Sequence, residues 1–153
     1  MKNLDFIFIG SPKNKSCCAL ELEYHKRIAH YTATQLITLK DSGDKNILLK
    51  NKKETQTIVS KLTPSDFLVV CDERGQAPGS VAFAKNIAQW RNSHQRVVFV
   101  VGGAYGLGEE VLHKANVKLK LSEFTLPHEL ARIVLLEQTY RAFTILGGEK
   151  YHH

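Results

Sequence analysis

The stretch VVFVVGGAYGLGEEV, residues 97–111, runs from β-branched apolar residues into Gly102, Gly103, Gly106 and Gly108, and then into acid. Glycines at the end of a buried strand let a ligand come close to bare backbone, so the first chemistry to weigh is nucleotide binding. A dinucleotide fingerprint needs GxGxxG directly after the first strand of a βαβ unit, with an acidic residue about 20 positions further on. Here the order is Gly-Gly-x-x-Gly-x-Gly, and it follows the fourth predicted strand. No GK[ST] is present, which excludes a phosphate-cradling P-loop. Glu109 and Glu110 suit the positive end of a helix that starts there, but they would repel a phosphate. Two readings remain. One is a tight turn that needs positive φ, closed by Gly108. The other is a side-chain-free wall for a flat, adenosine-bearing ligand without phosphates.

The other reactive side chains form no comparable cluster. Cysteine occurs three times, as the neighbours Cys17 and Cys18 and as Cys71 at the end of an apolar run. An odd count without CxxC spacing offers neither a disulfide framework nor a zinc site, so reduced and mostly buried thiols are expected. His25, His30, His94 and His113 fall on separate elements at no metal-ligand spacing, which predicts surface or capping roles and no metal. Trp90 shares a helical face with Phe83 and Ile87, the pattern of a core anchor rather than a base-stacking platform. Lys50, Lys52 and Lys53 read as a solvated face that helps attract a polyanion.

These residues must be positioned by a fold, and the chain of 153 residues fits one domain with a full core. Strands are predicted over 4–10, 34–39, 66–72, 96–102 and 117–122. Helices are predicted over 17–31, with Leu20, Tyr24, Ile28 and Tyr31 on one face, over a stretch from near Asn46 to 62, and over 79–92 and 127–146. Strands 66–72 and 96–102 are apolar on both faces, the mark of a mostly parallel sheet covered by helices on each side. This is an α/β chain without repeats or linkers. In the last helix, Thr125 reads as a cap and Pro127 as a first-turn residue. That helix is apolar over more than the single stripe needed to lie on a sheet. It therefore needs a second hydrophobic neighbour: a second copy about a two-fold axis, or another element of the same chain.

The net charge is +6 and the pI about 9.3. Such a balance favours an acidic partner, nucleic acid first. The charge is scattered over SPKNK, KNILLKNKK and the arginines of the last helix, so any such surface is assembled by the fold. No apolar run approaches the ~20 residues of a membrane span. The opening segment lacks the features of a signal peptide. A cytoplasmic protein without a membrane partner is expected.

The segments GGAYGL, LSEFTLPHELAR, LLEQTYRAF and GEKYHH, in this order and spacing, resemble the C-terminal half of the ribosomal RNA large subunit methyltransferase H family, a branch of the SPOUT methyltransferases. The N-terminal half resembles it more loosely, through the opening strand and LVVCDERGQ. The resemblance implies one SPOUT domain over 1–153 with a C-terminal trefoil knot within about 97–153, a rare exception to unthreaded chains. It implies a homodimer that uses S-adenosyl-L-methionine to methylate N3 of a pseudouridine in large-subunit rRNA, within the ribosome and without a metal. The cofactor site it implies consists of Cys71, Gly102, Gly103 and Gly106, faced by backbone groups of Leu121, Ser122, Glu123, Phe124, Thr125 and Leu126. The candidates for the proton acceptor are the tail, Tyr151-His152-His153, which reaches the partner subunit's active site, together with His128 and Arg132; Tyr151 and His152 are favoured as substrate-positioning groups and His152 as the base. His128, Arg132, Arg141 and His153 are the implied substrate contacts. His128 also reads as a structural residue of the helix opening, and Arg141 as an ordinary surface charge. Two other functions stay open: a SPOUT methyltransferase acting on another RNA such as tRNA, and a non-catalytic RNA-binding or ribosome-assembly protein.

Overall fold

A computed structural model describes residues 1–153. The apolar runs become β1 (Asn3–Ile9), β2 (Leu36–Leu39), β3 (Phe67–Gln76), β4 (Arg96–Val101) and β5 (Val117–Leu119). They form one sheet in the order β2-β1-β4-β3-β5, and every pair is parallel. Side chains alternate between the two faces, as the strand period of two requires. Leu4, Phe6 and Phe8 of β1 and Val97, Phe99 and Val101 of β4 enter one core; Ile7, Ile9, Val98 and Val100 enter the other. The first core lies under α1 (Lys15–Ile28), α3 (Ser80–Ser93) and α5 (His128–Leu146), the second under α2 (Ile47–Val59) and α4 (Glu109–Lys114). Each fully buried large apolar side chain of this kind contributes about 1.5–3 kcal/mol. Trp90 is a core anchor, packed against Phe67, Phe83 and Phe99.

Helix starts follow local chemistry. Asn14 caps α1 by accepting from the Ser16 N–H at 2.8 Å, and Asn46 caps α2 by accepting from the Leu49 N–H at 3.1 Å. α5 starts differently from expectation. Pro127 itself is the capping residue, no side chain caps the helix, and Thr125 stays outside it.

Three expectations are corrected by packing. Leu20 does not face the core; it is 42% exposed, whereas Glu21 is 3% exposed. The reason is Arg132 of α5, 1% exposed, whose Nη1 lies 3.4 Å from a Glu21 carboxylate oxygen. Burying one charge demands the other. Lys50 is likewise not on a solvated face but 8% exposed, paired with Asp41 and lying 3.9 Å from Glu54. The cysteines are less buried than expected, with Cys18 exposed and Cys17 half-buried.

The broad apolar girth of α5 finds its second neighbour inside the chain. The helix lies on the sheet and packs against both α1 and α3. Along its length only Leu130 and Leu146 are exposed.

Candidate active site

The C-terminal ends of β3, β4 and β5 and the first turn of α5 enclose a cleft of about 470 Å³. In open α/β sheets this edge is where ligands bind, because the strand ends and the loops leaving them diverge there. One wall is the loop after β4. Gly106 has φ +77°, a conformation that disfavours side chains, and its N–H bonds back to the Gly103 carbonyl at 3.1 Å. Gly102 is needed for a second reason: a Cβ there would lie 2.8 Å from the Gly106 carbonyl. Both original readings of the glycines are thus met at different positions, a turn at Gly106 and a close backbone approach at Gly102.

The opposite wall is the segment 121–126. It belongs to no helix or strand, and none of its N–H or C=O groups makes a backbone hydrogen bond. The Phe124 N–H is held by Ser122 Oγ at 2.9 Å, which kinks the segment. Backbone groups are obligatory hydrogen-bonding groups. A row of them left open along a cleft presents fixed donors and acceptors to a ligand.

The structure gathers most of the expected cofactor residues here. Cys71, Gly102, Gly103 and Leu121, Ser122, Glu123, Phe124, Thr125 and Leu126 all line this cleft; Gly106 supports the wall from behind Gly102 and Gly103. Burial pushes the Cys71 thiol up to about 12, so it stays protonated and serves as an apolar surface. His128 also lines the cleft.

Asp72 also lines the cleft, and sequence reasoning missed Glu73, Arg74, Val101, Leu119, Lys120 and Ala131, which complete the lining. Glu73 and Arg74 get there because β3 does not end at 72. Its pairing to Leu119 shifts from Cys71 to Gln76, and the intervening residues bulge over the cleft. Asp72 there accepts from Arg74 Nε at 2.8 Å, which holds its carboxyl below the usual range. The signal was the polar run DERG directly behind an apolar strand, with Gly75 where a Cβ would overlap the Lys118 carbonyl.

Arg132, expected to touch substrate, lies beneath the site. Its Nη2 donates to the carbonyls of Ile9, at 2.8 Å, and Gly10, and its guanidinium stacks over Phe8. It ties the end of β1 to α5.

The tail lies elsewhere on the same chain. Tyr151 Oη donates to Glu137 at 3.1 Å, Arg141 Nη2 reaches the same carboxylate at 2.6 Å, and Arg141 Nη1 lies 3.2 Å from His152 Nδ1. Arginine only donates, so Nδ1 accepts and the His152 proton sits on Nε2. Tyr151 also packs edge-on to Tyr140. None of Tyr151, His152 and His153 lines the cleft. The last α5 residue that does is Ala131, and Glu137 follows six residues later, roughly 9 Å along the helix. His153 is exposed.

A parallel α/β sheet with its cleft at the C-terminal edge, walled by a glycine loop and by unpaired backbone, defines a small-ligand-binding α/β domain. Residues 2–152 match the family described as predicted SPOUT methyltransferase, and the chain belongs to that family. It is 39% identical to the ribosomal RNA large subunit methyltransferase H of Maridesulfovibrio salexigens, over 100% of this chain and 99% of the relative. It is 40% identical to the protein of that name from Mycoplasmopsis agalactiae, over 99% of each. Among solved structures, a probable rRNA-methyltransferase from Porphyromonas gingivalis shares the fold with a TM-score of 0.60 at 12% identity, covering 95% of this chain and 70% of that one.

Proposed function

We propose that this chain is an S-adenosyl-L-methionine-dependent methyltransferase of large-subunit ribosomal RNA, with N3 of a pseudouridine as its target. The observation that carries the reading is the cleft with one wall of side-chain-free glycine and the other of unpaired backbone at 121–126. Purines are held well by such fixed backbone groups in a partly apolar pocket. Relatives named for large-subunit rRNA methylation match the chain end to end, and the net charge of +6 suits a polyanion. The resemblance supports a trefoil knot in 97–153, which would bring both walls together.

Cys71, Gly102, Gly103, Gly106 and the backbone of 121–126 would hold the cofactor. When bound, it supplies an electrophilic methyl group on a sulfonium. The protein's part is then to align the acceptor and to handle one proton. N3 of pseudouridine gains the methyl and gives up its proton, and His152 is the group that takes it. Burial, ahead of the neighbouring Tyr24 and Glu137, raises the Tyr151 hydroxyl above its usual range, so Tyr151 acts as a donor that orients the base. Release from Arg141 frees Nδ1 of His152 for the proton and leaves Arg141 Nη1 open to an RNA phosphate while Nε and Nη2 stay on Glu137. His128, at the cleft, and His153 complete the substrate contacts. The tail would serve the cleft of a second copy, in a homodimer acting on the ribosome in the cytoplasm.

The test is transfer of labelled methyl to ribosomes from cells lacking the corresponding enzyme, with the product mapped by mass spectrometry. Label is expected on N3 of a large-subunit pseudouridine, and none with Gly103→Trp. His152→Ala is expected to lower kcat by about 10²–10⁴ at unchanged cofactor affinity. Mixing those two inactive variants should restore activity, because mixed dimers hold one intact cleft facing one intact tail. Label on another RNA would move the substrate; absence of cofactor binding in calorimetry would overturn the enzyme reading.

A further inference from the structure

We infer that a second, polar cavity on the far side of the glycine loop seats the target nucleotide, extruded from its RNA, with its phosphate on Lys13 and Lys40. The inference rests on the methyltransferase reading above. The cavity measures about 780 Å³ and lies at the ends of β1 and β2, bounded by the turns after them, the glycine loop and the first turn of α5. It shares Gly103 and His128 with the cofactor cleft and no other residue. Two occupants would therefore meet beside Gly103, which has no side chain, and His128. That is where a methyl donor and its acceptor must come within about 3–3.5 Å.

Charge says what kind of occupant fits. Both carboxylates of the cavity are already engaged: Asp41 with Lys50 and the Gly43 N–H, Glu129 with the Lys13 N–H. Lys13 and Lys40 are exposed, and neither ammonium forms an ion pair. The cavity thus offers two free cations and the hydroxyls of Ser11, after β1, and Thr38, on β2. Its volume falls within the roughly 300–1,000 Å³ of small-ligand sites. A paired base has its N3 edge covered and a stacked base cannot enter a cavity, so enzymes acting on bases extrude them, and unstacked loop nucleotides are what proteins read in RNA.

The walls are set before RNA arrives. Arg132 holds the Ile9 and Gly10 carbonyls, Glu129 holds Lys13, and Lys50 and Lys53 tie the 41–44 turn to α2 through Asp41 and Asp44. A preordered cavity avoids ordering costs on binding.

The test compares a variant that fills the cavity, Ser11→Trp, with one that reverses its charge, Lys40→Glu, on the full-length protein with ribosomes as substrate. Dissociation constants for S-adenosylmethionine are expected within about two-fold of wild type, which also certifies folding. Ser11→Trp should lower kcat/KM for ribosomes about 100-fold. Lys40→Glu should lower it about 10-fold, through KM. Thr38→Trp, on the opposite wall, repeats the occlusion if Ser11→Trp disturbs cofactor binding. Occluding variants within three-fold of wild type overturn the assignment, as does a loss confined to Lys40→Glu, which would be electrostatic steering alone. A wild-type protein that binds no S-adenosylmethionine overturns both readings. One that methylates rRNA whatever fills the cavity overturns only this one.

Discussion

At the N-terminal ends of β1 and β4, Arg96 stands between two buried carboxylates, with Nε 2.7 Å from Asp5 and Nη1 2.8 Å from Asp66. Asp5 also accepts from the Gln35 N–H, and Arg96 donates to the Lys61 carbonyl. At the C-terminal ends of the same sheet, the segment 121–126 makes no backbone hydrogen bond and two cavities open on either side of Gly103. One end satisfies its polar groups within the chain; the other withholds partners from them. A fully paired network stabilises and has nothing left to offer a ligand, whereas unpaired groups contribute little to folding and much to binding. The difference leaves the C-terminal edge as the end with backbone groups still open to a ligand.

The sharpest way to break this contrast is Arg96→Ala. It strands Asp5 and Asp66 without a cation and should cost about 3–5 kcal/mol of stability, read as a lower urea midpoint. Methyl transfer per folded molecule should be unchanged. Gly102→Val is the mirror experiment. Its side chain meets the Gly106 backbone and displaces the loop, so cofactor affinity should fall about 10²-fold while the urea midpoint moves far less. If the two variants fail to separate in this way, the ends are not specialised.

A smaller effect is expected from Tyr151→Phe. It removes one hydrogen bond to Glu137, worth about 1 kcal/mol, and should loosen the tail, seen as faster amide exchange over 149–153.

The smallest effect concerns pH. Glu54 is buried behind Gly103 with Oε1 lacking a hydrogen-bond partner, and desolvation raises its carboxyl above the ordinary 4.5. The folded state therefore holds the proton more tightly than the unfolded chain. Below about pH 4.5 both states are protonated and nothing is lost; stability then declines as pH rises through the raised folded value. Glu54→Gln should flatten that decline, so the variant gains on wild type between pH 4 and pH 7 in urea melts. A constant difference would mean that folding leaves the Glu54 carboxyl unshifted.

Much of this molecule was legible before any coordinates. The two-sided apolar runs at 66–72 and 96–102 dictated parallel strands with helices on both faces, because such strands have no face to show water. The glycine spacing marked one cleft wall, and the family resemblance carried by LSEFTLPHELAR implied the other. What local pattern could not decide was which side chains share an interior. Leu20 looked like core and Arg132 like a substrate contact; Glu21 is buried in place of Leu20, and Arg132 with it, because a charge pair across α1 and α5 outweighs helical hydrophobic spacing. Lys50 entered the interior for the same reason, drawn in by Asp41 and Glu54. The bulge that carries Glu73 and Arg74 over the cleft exists only because β5 pairs with both Cys71 and Gln76. The sequence by itself determined the strands, their parallel sheet with helices on both faces and the glycine turn, because these follow from local pattern. The tertiary structure alone decided the pairing of distant charges and the meeting of two cavities at Gly103, because both depend on groups that chain separation hides and only packing brings within a few ångströms.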